Sequence, residues 1–223
     1  MNTVANPTYR QRVGYQAGLL GGFALIAAAL LVMGDIATRD AIAEREAEDL
    51  LASLSQVIPT ELHDNDLLAN QMVLTIDGPE GVPEVLNVYR ALQGLDVSAV
   101  AYEVVGQGYA GPIHILIGIG ADGRVLGVRV LSHVETPGLG DKIEIARDDW
   151  IIDFNGRSLK DPELDGWAVK KDGGIFDQFS GATVTPRAVV AAIKGGLEVF
   201  AQHRDALTAS AVVTSSEANA VRK

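Results

Sequence analysis

The chain has no cysteine among its 223 residues. That excludes disulfides, thiolate-bound iron–sulfur clusters and a cysteine nucleophile. Its four histidines (His63, His114, His133 and His203) show no metal-site spacing, so no metal is expected and any redox chemistry needs an organic cofactor. Basic residues are outnumbered, 18 against 29 acidic, for a net charge of −11. Such a surface disfavours nucleic acid or anionic lipid headgroups as partners. No G-x-S-x-G elbow, P-loop or H-E-x-x-H motif occurs, and no catalytic residue is expected. Aromatics are scarce at 5%, yet 48% of residues are hydrophobic. The chain can therefore build a core for one sizeable domain with an appendage, or for two small ones.

Charge is also missing over the whole of Val13–Gly34, and from Ala17 to Met33 every residue is apolar or glycine. Twenty-two residues match the length of a bilayer-spanning helix. The apolar region of a cleavable signal peptide usually runs only about 7–15 residues, so a retained anchor in the lipid bilayer is expected. Arg10 and Arg12 precede the span, while Asp35 and the acidic Glu44–Asp49 stretch follow it. This asymmetry puts residues 1–12 in the cytoplasm and everything after residue 34 outside it, on the periplasmic side of an inner membrane. The outer part keeps 16 basic and 29 acidic residues, a net −13. Gly14, Gly18 and Gly22 form a row of small residues on which another helix can pack closely, although glycine is also common in weakly hydrophobic spans. With no ionisable residue inside a lone span, the chain is not expected to conduct ions itself.

Residues 35–58 read as a helix leaving the membrane and stopping at Pro59. Gln71–Ile76, Glu84–Leu92 and Ser98–Val105 read as strands, the first two joined by the turn Asp77-Gly78-Pro79-Glu80-Gly81. Ile113–Ile119 and Arg124–Leu131 flank the hairpin turn Ala121-Asp122-Gly123. Asp141–Arg147 suggests a short helix, and 151–176 reads as loops with one or two short strands. A helix is expected from Arg187 to about His203, with Thr185 as N-cap and Pro186 as its first residue. Residues 206–223 read as a disordered tail. The fold class is α+β, a mostly antiparallel sheet flanked by helices.

Several short runs could carry chemistry. Gly118-x-Gly120-x-x-Gly123 falls in a hairpin, not between strand and helix, and is therefore not a dinucleotide site. Gly106–Gly111 reads either as a plain glycine-rich loop or as backbone brought close to a flat ligand. Glu135-Thr136-Pro137-Gly138-Leu139-Gly140 is either a simple reversal or a turn whose carboxylate, hydroxyl and amides bond a heteroaromatic edge. Asp177-x-x-Ser180-Gly181-Ala182-Thr183 ends in a little-shielded hydroxyl just before a helix start. An esterified phosphate there would lie near unpaired amides and the positive dipole end, although the run also reads as a loop leading into a capped helix.

Together these residues resemble the FMN-binding G subunit of the Rnf-type ion-translocating electron transport complex. The resemblance covers residues 8–205. It rests on the single span, G-Y-x-G-x-I at Gly108–Ile113, the hairpin, H-x-E-T-P-G-L-G at His133–Gly140 and D-x-x-S-G-A-T at 177–183. It implies one transmembrane helix (13–34), a linking helix (35–58) and a single periplasmic FMN-binding domain (59–205). It further implies a covalent phosphoester of FMN on Thr183, made by a separate flavin transferase, with Ser180, Gly181 and Ala182 around it. Glu135, Thr136, Leu139 and Gly140 would line the flavin. The chain would relay electrons while other members of the complex move the ion. The related C subunit of the sodium-translocating NADH:quinone reductase is the alternative. A flavin-free anchored binding or sensor domain is a third reading, of another class.

Overall fold

The structure is a computed structural model that describes residues 13–77 and 83–210. The chain divides into two compact units, Met1–Asp49 and Leu50–Lys223.

The described part of the first unit is one helix, the start of α1 (Val13–Val57). It is long and apolar enough to cross a membrane, and Leu20, Leu25, Leu31 and Met33 on it are exposed. A Cβ added at Gly14, Gly18 or Gly22 would meet nothing within 4 Å outside the helix's own neighbouring backbone. Past the apolar stretch, Asp35–Arg39 and Arg45–Glu48 pair along the helix surface. The apolar stretch and the residues after it lie on one helix, Val13–Val57, because no proline interrupts the ladder before Pro59.

In the second unit, five strands form an antiparallel meander in the order β1 to β5. They are β1 (Gln71–Asp77), β2 (Pro83–Gln93), β3 (Asp96–Gln107), β4 (Pro112–Gly120) and β5 (Val125–Ser132). Each lies within two residues of its expected range. The Ala121–Gly123 turn forms as expected, with Gly123 at φ +88°. Most of the expected β1–β2 turn lies outside the described residues.

Alternation along the strands gives the sheet two apolar faces. One carries Val88, Val100, Tyr102, Ile113, Ile115, Ile117, Ile119 and Val128. It is covered by α2 (Val184–Leu207), through Val189, Val190, Ile193, Leu197 and Phe200, and by the segment between β5 and α2. That segment consists of short 3-10 turns, including Asp141–Ile143, Trp150–Phe154, Leu164–Gly166 and Lys170–Asp172, with two isolated bridges, not the short strands expected. It is held by an aromatic cluster: Phe154 stacks on Phe176 at 4.4 Å, and Trp150 meets Phe154 and Phe179 edge-on at 5.2 and 5.1 Å. The second face is made of small residues, Ala91, Ala99 and Ala101 with Leu116, and is closed by Leu54 and Val57 at the end of α1 and by Ile58 just after it.

Two boundaries differ from expectation. Helix α2 begins at Val184, so Thr183 and not Thr185 precedes it. It kinks at His203, where it was expected to end, and resumes to Leu207, whose side chain is buried, while Arg90 donates to the Ala209 carbonyl at 3.3 Å. The start of the expected tail is therefore packed onto the domain, and residues 211–223 lie outside the described part.

Candidate functional site

Three turns converge at the N-terminal end of α2. The tip of the β3–β4 hairpin, Gly108–Gly111, closes through a bond from the Gly108 amide to the Gly111 carbonyl at 2.9 Å. It carries Tyr109, which is 75% exposed. After β5, the Thr136 carbonyl accepts the amides of Leu139 and Gly140, both at 3.1 Å. Pro137 supplies the bend, and Gly138 takes the left-handed φ of +77° that the turn's third position requires. The S-G-A-T run makes the same kind of turn: the Ala182 amide donates to the Phe179 carbonyl at 3.1 Å, with Gly181 at φ +83°.

The third turn is anchored on both sides. Phe179 is buried against Trp150, and the Trp150 indole donates to the Asp177 carbonyl at 2.9 Å. The Asp177 carboxylate pairs with Lys170 at 2.7 Å, and the Gln178 side chain accepts the Lys171 amide. Beyond the turn, Arg187 grips Asp172 with two bonds of 2.5 and 2.7 Å. Its guanidinium holds the Asp172 carboxyl below the usual carboxylate value, chiefly by hydrogen bonding.

Between these turns lies a cavity of about 390 Å³. It is lined by Tyr109, Glu135, Thr136, Leu139 and Gly140 from one side, and by Gly181, Ala182, Thr183, Val184 and Thr185 from the other. Seven of the eight residues singled out in the sequence are thus brought together. Ser180 is the exception; it is exposed and outside the lining. Thr183 is half-buried at the head of α2, and no acidic residue occupies the helix's first turn. Its hydroxyl makes no capping bond, so that oxygen is not committed to the helix.

The sequence reading missed Val184 and Thr185 as lining residues, and named Tyr109 only as part of a motif. Thr185 is fully buried, and its hydroxyl donates to Glu135 instead of capping a helix. A partner 50 positions away leaves no local signal. The G-x-G-x-x-G run serves packing: a Cβ on Gly118 would lie 2.3 Å from the Val57 carbonyl oxygen.

The cavity suits a flavin mononucleotide on its own chemistry. Its volume falls in the roughly 300–1,000 Å³ range of cofactor sites. Exposed apolar surface on Tyr109, Leu139 and Val184 can pack a flat ring, and the positive end of the α2 dipole suits a phosphate.

Known proteins resemble this chain at several levels. Residues 108–198 match the family described as FMN-binding domain. The G subunit of the ion-translocating oxidoreductase complex of Cereibacter sphaeroides is 56% identical over 191 residues, covering 86% of this chain and 85% of that protein. The corresponding G subunit of Stutzerimonas stutzeri is 48% identical, with 89% and 86% covered. Among solved structures, NqrC of Shewanella oneidensis is 23% identical and matches 67% of this chain and 73% of its own, with a TM-score of 0.45.

Proposed function

The chain belongs to the family of G subunits of ion-translocating oxidoreductase complexes, and from that premise we propose that it carries FMN as a phosphoester on Thr183 and relays electrons within such a complex. The observation that carries this reading is the position of Thr183. Its hydroxyl lies at the head of a 24-residue helix, uncommitted to capping, beside a cavity walled by apolar side chains and backbone together with Tyr109, Glu135, Thr136 and Thr185.

FMN, when bound, supplies the redox chemistry. Thr183 tethers its phosphate, and the amides of the first turn of α2 offset that charge. Tyr109, Leu139 and Val184 bear on the ring. Thr136, Gly140, Gly181 and Ala182 offer hydroxyl and backbone groups around it. Exposed Ser180 remains open to the flavin transferase that makes the bond. The net −13 of residues 35–223 disfavours adding further negative charge nearby, which tends to lower the cofactor's potential; salt screens this effect beyond about 10 Å. The apolar stretch of α1 anchors the domain on the outer side of the inner membrane, where a covalent tether prevents loss of the cofactor. Ion movement belongs to the partner proteins of the complex.

Intact mass of the full chain from cells that contain the transferase should exceed the sequence mass by one FMN less one water. Thr183→Ala should abolish that addition. An unmodified wild-type chain from such cells overturns the proposal.

A further inference from the structure

Glu135 is only 5% exposed, and a carboxylate that deep needs partners. It has one for each oxygen, from two different elements. Oε1 accepts the Ala110 amide of the β3–β4 hairpin tip at 3.0 Å, and Oε2 accepts the hydroxyl of Thr185 in the first turn of α2. The carboxylate is also enclosed by backbone. A Cβ on Gly108 would lie 2.4 Å from Oε1, and one on Gly140 would lie 2.9 Å from Oε2. Neither residue can carry a side chain unless the carboxylate moves.

The backbone of Glu135 is fixed as well, because its own amide donates to Nδ1 of His133 at 3.0 Å. That leaves the imidazole hydrogen on Nε2, which donates to Glu144 at 2.6 Å. One side chain thus ties together all the elements that frame the cavity except the S-G-A-T turn itself. That turn is joined to the hub through two residues of α2.

We infer that Glu135 is a positioning residue: through Thr185 and Ala110 it sets the spacing between the first turn of α2 and the Tyr109 turn, and so fixes where Thr183 presents its hydroxyl for flavin attachment. This rests on the proposed linkage at Thr183. It gives Glu135 a role distinct from flavin contact, since its oxygens are already engaged inside the protein. It also gives a segment some fifty positions upstream a part in presenting Thr183.

The test uses the full chain, with Glu135→Ala, Glu135→Gln, Thr185→Val and Thr185→Ser compared with wild type. Two quantities are read. One is the fraction of chain carrying the FMN mass after expression with the transferase. The other is amide hydrogen exchange at residues 108–111 and 184–187 in chain from cells without the transferase. Glu135→Ala and Thr185→Val should lower incorporation by about tenfold or more, as a misplaced reacting group does, and should speed exchange in both segments. Glutamine can accept from Ala110 and donate to Thr185, and serine keeps the hydroxyl, so both conservative variants should restore both readouts. Thr185→Val keeps side-chain volume and carries the test should Glu135→Ala fail to fold. Wild-type levels of FMN and unchanged exchange in both disruptive variants overturn the inference. So does a glutamine variant as defective as alanine. An unmodified wild type overturns the linkage instead, and the exchange measurements still decide whether Glu135 holds the two segments.

Discussion

The two faces of the sheet solve the same problem in opposite ways. Toward α2, large side chains fill the space: Tyr102, four buried isoleucines on β4, and a cluster of five aromatic rings from 150–179. Toward the end of α1, the sheet is lined with alanine, and helix backbone approaches strand backbone directly. The glycines there, Gly118 and Gly127, are cross-strand partners, and a Cβ on either would lie 2.3–2.8 Å from atoms of Val57. One face is stabilised by buried side-chain area and the other by closeness. Every cavity residue belongs to turns at the margin of the first face or to α2. The second face only fastens the domain to its helix. Bulk lets a face carry long connecting segments that can be shaped into a site, whereas a close backbone contact leaves no such segments to shape.

If this contrast holds, the first face should be injured by removing atoms and the second by adding them. The largest effect is expected for Phe154→Ala, which removes a fully buried ring stacked on Phe176. A loss of about 3–5 kcal/mol is expected, read by urea unfolding of the full chain through the fluorescence of Trp150 and Trp167. Gly118→Ala should come next, at about 1–3 kcal/mol, because one added methyl must push the Val57 backbone away. A neutral Gly118→Ala would break the comparison.

The smallest effect belongs to the exposed rim. Arg187 lowers the Asp172 carboxyl below its usual 3.8, so the pair stabilises the fold above that value. The contribution fades as pH falls through the lowered folded value. Asp172→Asn should therefore lower the thermal midpoint slightly at neutral pH, by the small amount typical of surface pairs. The difference from wild type should vanish well below pH 3.8.

Local signals made the strands and their order of appearance readable. Val- and Ile-rich runs separated by Ala121-Asp122-Gly123 specify a hairpin without help from the rest of the chain. The start of α2 was misread because Thr185-Pro186 carries a good capping signature, yet the Thr185 hydroxyl is taken by Glu135. The expected end of α2 at about His203 is where the helix kinks, and the further turn to Leu207 was not legible because burial of Leu207, and the Arg90 bond to Ala209, depend on residues far upstream. Seven of the eight residues picked out through the motifs and the resemblance they carry line the same cavity. Ser180 was not separable from them in sequence, since neighbours on a tight turn point to different sides.

By itself the sequence determined which segments could be strands or helices, that one apolar stretch could span a membrane, and that thiolate redox chemistry was closed to the chain. Those properties follow from residue type and spacing along a few turns or pleats. Only the tertiary structure decided that Glu135 bonds both Ala110 and Thr185, that Arg90 reaches the Ala209 carbonyl, and that Gly118 and Gly127 receive the end of α1. Each of these joins groups far apart along the chain. Hydrogen bonds and close contacts depend on separation in space, which only the packed fold sets.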